Sequence, residues 1–319
     1  LRAKNLLVGY EGLQVFYRII HLQEADKTAM KLQSVGIVSP GDMGQAVAGT
    51  LKEIGLRACT ALDGRSDRTR GLAREAGLID CGSIRRLVED CDIVLSILNP
   101  GAAIDNARTV AAAMQESGRH PVFVDCNAIS PQTMHEIDSI IRAAGGTCID
   151  AGIIGPPPRG KASMHFYASG PGAALIEQLA SPRVDVRILG DRIGDASALK
   201  MCYASYSKAA VALGVEMLVA ARRLGVDEAL DRELRETAAD NLDWILRRLV
   251  TTPPKAYRWV PEMNEIAKTF EGSGLTPRML LGAADVYEMI AATALGRESP
   301  EEARAKARDG RTVVRDLAG

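Results

Sequence analysis

The chain lacks the spacings that announce a metal centre or a disulfide framework. Its six cysteines, at 59, 81, 91, 126, 148 and 202, form no C-x-x-C and no zinc spacing. That pattern leads us to expect a reduced, cytoplasmic protein with buried thiols. The four histidines, at 21, 120, 135 and 165, form no H-x-x-x-H pair, so nothing argues for a metal. Neither sign of charge dominates: the formal net charge of -1 leaves no basic footprint for nucleic acid and no acidic tail. No apolar run reads as long enough to span a bilayer. The chain shows no internal repeat and no low-complexity tract. The partners expected are a small-molecule substrate and no nucleic acid or membrane.

The 319 residues suffice for two domains. Residues 1–29 differ in texture from the rest and carry no pattern of basic end, apolar run and small-residue cleavage site. "MKLQSVGIVSPGDMG" reads like a natural start at Met30, so an N-terminal extension over 1–29 is expected. The alternative is an extra helix, because "LQVFYRIIHL" has apolar residues at helical spacing. From Lys31 onward short apolar runs alternate with helical stretches. "SVGIVS", "RACTAL", "DIVLSIL", "PVFVD", "TCIDAGII", "SMHFYAS" and "VDVRIL" read as strands. The continuous run in "DIVLSIL" suits a parallel sheet buried on both faces. This rhythm predicts a doubly wound α/β domain over 30–190. After Asp191 the strand signal disappears, and 194–225 reads as one long alanine-rich helix. Gly214 inside it costs roughly 1 kcal/mol against alanine. Thr276-Pro277 and the capping box Ser299-Pro300-Glu301-Glu302 start further helices. The expected fold is therefore α/β plus all-α: a Rossmann-type sheet followed by an all-helical domain over 191–319.

"VGIVSPGDMG" (35–44) is nearly the dinucleotide fingerprint G-x-G-x-x-G. Gly41 stands where the backbone must approach a pyrophosphate, and Gly44 where helix and strand pack closely. Ser39 replaces the first glycine. It precedes Pro40, which favours an extended conformation suited to closing a strand, and its hydroxyl is a donor for a phosphate. Pro40 lacks an N–H, but the amides that matter lie further on, over Gly41, Asp42, Met43 and Gly44, where the helix dipole favours an anion. At the end of the second strand, "ALDGRSDRTR" places Asp63 near the position that binds the ribose of NAD. Arg65 and Ser66 stand where the 2′-phosphate of NADP would lie, and Arg68 and Arg70 add positive charge. NADP is favoured and NAD possible; the competing reading is a polar loop in which Ser66 caps the next helix.

These stretches resemble the β-hydroxyacid dehydrogenase superfamily, which includes 6-phosphogluconate and 3-hydroxyisobutyrate dehydrogenases. The resemblance runs from Met30 onward. "GIVSPGDMG" resembles the family's G-x-I-G-x-G-x-M-G, and "GRS" its NADP-type N-R-[ST]. "LSILNPGAA" resembles the segment after the fourth strand, which implies that Leu98, Asn99 and Pro100 line the cofactor. "VDCNAISP" resembles its D-x-S-T-x-x-P element, which brings Asn127 beside the nicotinamide. "DASALKMCYAS" resembles the start of its interdomain helix and implies that Lys200 is the catalytic lysine. A branch with a distinct helical C-terminal domain, containing segments like "YRWVPEMNEIAKTF", is similar in its second half. The resemblance further implies a homodimer, with "VALGVEMLVA" supplying apolar surface.

Lys200 would give a proton to a carbonyl oxygen or take one from an alcohol, since desolvation lowers a lysine pKa toward neutrality. It shares a helix face with Tyr203 and Ser207; a surface lysine is the alternative. Two departures stand out. Ile154-Gly155-Pro156 replaces the family's substrate-binding S-G-G, and Ala204 replaces the asparagine four residues after the lysine. A pocket without those polar groups should reject the substrates they served. Gly155, Tyr203 and Arg159 are the remaining substrate candidates. Arg159 follows the stiff Pro156–Pro158 loop, which also reads as a rigid surface turn. "KAYRWV" offers Arg258, with Trp259 expected in a packed interhelical cluster. The expected activity is NADP-preferring dehydrogenation or reduction of a small hydroxy acid, alcohol or carbonyl. A catalytically silent dinucleotide-binding protein and an imine reductase-like enzyme are the alternatives.

Overall fold

The computed structural model describes residues 30–319. The extension and helix expected within residues 1–29 lie outside the described residues. The first half is a single sheet of eight strands in the order β3-β2-β1-β4-β5-β6-β7-β8. The strands are β1 (Ser34–Ile37), β2 (Arg57–Thr60), β3 (Ile79–Asp80), β4 (Ile93–Ser96), β5 (Val122–Asp125), β6 (Cys148–Ile154), β7 (Met164–Ser169) and β8 (Val184–Gly190). All neighbours are parallel except β6 and β7. Seven strands fall on the runs read from the sequence. The eighth, β3, has two exposed residues and no apolar pattern to announce it.

Five helices alternate with the strands: α1 (Asp42–Glu53), α2 (Asp67–Glu75), α3 (Ile84–Asp90), α4 (Ala103–Ser117) and α5 (Pro131–Ala143). They cover both faces, so β1 and β4 are buried along their whole length. Val35, Ile37, Val47 and Leu51 belong to one core layer, and Leu87, Val94, Met114 and Phe123 to the other. Side-chain oxygens cap three of these helices: Ser66 caps α2, Ser83 caps α3 and Ser130 caps α5. Helix α1 has Gly41 at its N-cap and no side-chain cap.

The second half is helical. It comprises α6 (Asp195–Arg223), α7 (Asp227–Thr237), α8 (Ala239–Leu249), α9 (Ala256–Gly272), α10 (Arg278–Ala292), α11 (Pro300–Ala305) and α12 (Gly310–Ala318). The capping box forms at α11 as expected. Helix α10 begins one residue later than expected, with Thr276 accepting from the Arg278 amide at 3.4 Å. By length and composition alone α6 could cross a membrane, which corrects the expectation that no segment is long and apolar enough. Here Met201, Val215 and Val219 of α6 lie in the helical core with Met263, Ile266 and Tyr287. Gly214 has a packing reason: a Cβ there would meet Ile245 Cγ2 at 2.7 Å.

Polar contacts tie the halves together at several points. Glu265 on α9 accepts from the Ser130 amide and the Thr133 hydroxyl, both at 2.7 Å, at the N-terminus of α5. Arg68 on α2 pairs with Glu301 on α11 at 3.1 Å.

Candidate active site

The sheet order reverses between β1 and β4, and in open α/β sheets ligands bind outside the strand ends at such a point. The C-terminal ends of β1, β4, β5 and β6 bring together Ser39–Gly44, Leu98–Pro100, Asn127 and Ile153–Gly155.

The turn after β1 is built as the glycine pattern requires. A Cβ on Gly44 would stand 2.3 Å from the Ser39 carbonyl oxygen, so only glycine lets α1 start this close to the strand. Gly41 faces open space, with no protein atom within 4 Å of its would-be Cβ. Protein packing therefore does not demand glycine at 41, whereas close approach of a ligand would. The Gly41 carbonyl accepts from the Gln45 amide at 3.0 Å, and α1 begins without a side-chain cap. Its first amides form an uncapped, positively polarised end. These residues fit a dinucleotide pyrophosphate.

Across the turn lie Asp63, Arg65 and Ser66. Ser66 accepts from the Thr69 amide at 3.3 Å, so it caps α2. Arg65 donates to the Val38 carbonyl at 3.3 Å and reaches back over the end of β1. Asp63 is exposed, and its main-chain amide donates to Gly82 at 3.0 Å.

Asn99 caps the short 3-10 turn Pro100–Ala102, accepting from the Gly101 amide at 3.2 Å. Asn127 is 3% exposed. Its Oδ1 accepts from the Leu98 amide at 2.5 Å, and its Nδ2 donates to Ser96 at 2.9 Å and to Asp125 at 2.8 Å. The amide is fully engaged, so Asn127 ties the ends of β4 and β5 together instead of presenting its side chain to a ligand. Asp125 beneath it is buried, which pushes its carboxyl up to about 7.

Helix α6 meets β6 at Gly152. A Cβ there would lie 3.0 Å from the Ala196 oxygen and 3.1 Å from Lys200 Cβ. Asp150, buried in β6, accepts from the Gly194 and Ser197 amides at 3.0 Å each and from the Ser197 hydroxyl at 2.6 Å. It anchors the start of α6, and burial raises its pKa. Lys200 follows one turn later. It is half-buried and donates to the Ile153 carbonyl. Burial lowers its pKa to about 8; Glu262 opposes that shift and Lys208 adds to it. Tyr203, three residues on, is 51% exposed. Ile154 and Ala204 are buried, and Gly155 adopts φ +131°, where a side chain would be strained.

Two placements differ from expectation or escape it. Arg159, read as a substrate residue, instead pairs with Asp42 Oδ1 at 2.9 Å and donates to the Asp42 carbonyl at 2.8 Å. Its loop folds back over the phosphate turn. The sequence reading also missed Lys208 and Glu262, an ion pair at 2.7 Å with side chains 16% and 10% exposed. Lys208 lies 5.5 Å from the centre of the Trp259 ring, which packs edge-on against Tyr287 at 5.0 Å. Trp259 thus sits in an interhelical cluster, as expected. The available signal was the spacing of Lys208 two turns beyond Lys200 on an apolar helix.

Sheet order, glycine turn and lysine-bearing helix define a dinucleotide-binding fold joined to a helical second half. The NAD binding domain family of 6-phosphogluconate dehydrogenase matches residues 34–180, and a domain family of unknown function, DUF1932, matches residues 221–290. An uncharacterized 28.5 kDa protein from Methanothermus fervidus is 27% identical over 80% of this chain and 98% of its own length. The 3-hydroxyisobutyrate dehydrogenase of Pseudomonas aeruginosa is 23% identical over 83% of this chain and 89% of its own. The conserved protein MTH1747, of unknown function and with structural similarity to 3-hydroxyacid dehydrogenases, is 30% identical. The match covers 81% of this chain and 96% of that one, with a TM-score of 0.59. The chain belongs to the β-hydroxyacid dehydrogenase superfamily, with an NAD-binding domain and a DUF1932 domain.

Proposed function

We propose that this protein is an NADP-preferring oxidoreductase acting on a small hydroxy acid or alcohol, or on the corresponding carbonyl. The observation that carries the reading is Lys200, held beside the C-terminal end of β6 with its pKa lowered to about 8 by burial. A group of that pKa can both give and take a proton near neutral pH. In reduction the Lys200 ammonium donates to the carbonyl oxygen of the substrate; in oxidation the free amine accepts the proton of the alcohol. The dinucleotide, when bound, supplies or accepts the hydride. Gly41, Asp42, Met43 and Gly44 offer backbone amides to its pyrophosphate, with Ser39 and Pro40 shaping the turn. Leu98, Asn99 and Pro100 flank it on the β4 side. Arg65 and Ser66 favour a 2′-phosphate. Gly155 and Tyr203 border the substrate space, where the buried Ile154 and Ala204 supply no polar group.

Residues 30–190 would act as the cofactor domain and 191–319 as the substrate and dimerisation domain of a cytoplasmic homodimer. Separate fluorescence titrations with NADPH and NADH test the cofactor reading. Tighter NADPH binding is expected; tighter NADH binding would move the assignment to Asp63, and binding of neither would overturn the reading. The buried apolar Ile154 and Ala204 favour a second reading, a dinucleotide-binding protein without turnover. Tight binding with no turnover across alcohols, carbonyls and cyclic imines would select it.

A further inference from the structure

We propose that Arg159 is a positioning residue of the dinucleotide site, which neutralises the Asp42 carboxylate and lets the N-terminus of α1 accept a pyrophosphate. The inference rests on the cofactor reading above. Asp42 is the first residue of α1. A carboxylate there suits the free helix, whose N-terminus is positively polarised. The same end is where an anionic ligand would bind. Two anions within a few ångströms repel, so an unscreened Asp42 would work against the phosphate turn it belongs to.

The chain meets this conflict with a single cation. Arg159 arrives from the β6–β7 connection and grips Asp42 twice, at Oδ1 (2.9 Å) and at the main-chain oxygen (2.8 Å). Its own backbone is held in a tight loop: the Arg159 amide donates to Pro157, and its carbonyl accepts from Ala162, both at 2.9 Å. Pro156–Pro158 stiffen the approach. One cation, fixed by its own loop, thus sits on the carboxylate that opens α1.

The test is a set of NADPH titrations on the full chain and its variants Arg159→Ala, Asp42→Asn and the double variant Arg159→Ala/Asp42→Asn. Arg159→Ala should weaken NADPH about three- to fivefold, the scale of a half-exposed charge at a helix end. The double variant should return to within about twofold of the parent, because removing the carboxylate removes the need for its counter-charge. Adenosine 2′-monophosphate, which lacks the pyrophosphate, should bind the parent and Arg159→Ala alike. A double variant as weak as Arg159→Ala, or equal losses for both ligands, would overturn the proposal. A parent chain that binds neither NADPH nor NADH would instead overturn the cofactor reading and this inference together.

Discussion

Lys200 shows how one side chain carries opposed demands. Its charge is disfavoured by burial, yet the proposed chemistry needs a proton that comes and goes. With its pKa lowered from 10.5 to about 8, reduction should slow as pH rises through about 8, and oxidation should speed up. A pH–rate profile in each direction checks both slopes. The same shift has a consequence for stability. Between about 8 and 10.5 the unfolded chain binds more protons at this site than the folded one, so stability should rise with pH across that window. Lys200→Met should flatten this dependence, raise stability at neutral pH by about 1 kcal/mol and abolish turnover while leaving cofactor affinity intact. Retained turnover would remove the acid/base role. The two turn glycines separate fold from function in the same way. Gly44→Ala meets the Ser39 oxygen at 2.3 Å and should cost about 1–3 kcal/mol in thermal or urea unfolding. Gly41→Ala meets nothing within 4 Å; it should change stability by less than about 0.5 kcal/mol and still weaken NADPH binding. An unchanged affinity in Gly41→Ala would argue against close backbone approach there.

Helix α6 links the two halves, and its glycine illustrates why propensity alone misleads. A glycine inside a helix costs roughly 1 kcal/mol relative to alanine, so Gly214→Ala looks favourable on paper. In the folded chain the new methyl would meet Ile245 on α8 at 2.7 Å. The expected result is net destabilisation of about 1–2 kcal/mol. Gly282 on α10 is exposed, and nothing lies within 4 Å of its would-be Cβ. Gly282→Ala should therefore gain about 0.5–1 kcal/mol. Unfolding curves of the two variants, run together, should move in opposite directions. Asp150 belongs to the same element story. A carboxylate in an apolar strand must be paired, and it is, with the opening amides of α6. It aligns the helix that carries Lys200 without touching the proposed substrate.

For the whole molecule, the proposed dimer has candidate surface on α6. Tyr206 and Leu213 are 75% and 67% exposed and stand two turns apart on one face. Replacing both by aspartate should convert a dimer to a monomer in light scattering at micromolar concentration, with the helical signal retained. A parent chain that is already monomeric there would remove the claim. The contacts between the halves, Glu265 at the start of α5 and Arg68 with Glu301, place α9 and α11 over the cofactor side of the sheet.

Much of this arrangement is local and legible in the chain itself. Apolar runs such as "DIVLSIL" suit a buried parallel strand wherever they occur, because both faces must be covered. Gly41 and Gly44 flag the turn because their conformational and steric demands act within a few residues. Lys200 stands out because a lysine interrupts the alanine-rich first turns of the long helix, and the family resemblance implies its role. What escaped depends on partners far apart in sequence. Arg159 could be read as an anion-binding residue, but only the folding back of its loop across 117 residues decided that its anion is Asp42. Asn127 lies near the expected place, yet packing turned its amide inward onto Ser96, Leu98 and Asp125. The Lys208–Glu262 pair and the contact of Gly214 with Ile245 exist only because α9 and α8 dock on α6. Periodicity and turn chemistry are short-range and are written in the order of residues. Charge pairing and close packing between distant elements are decided when those elements meet, and here that meeting sets the electrostatics of the site.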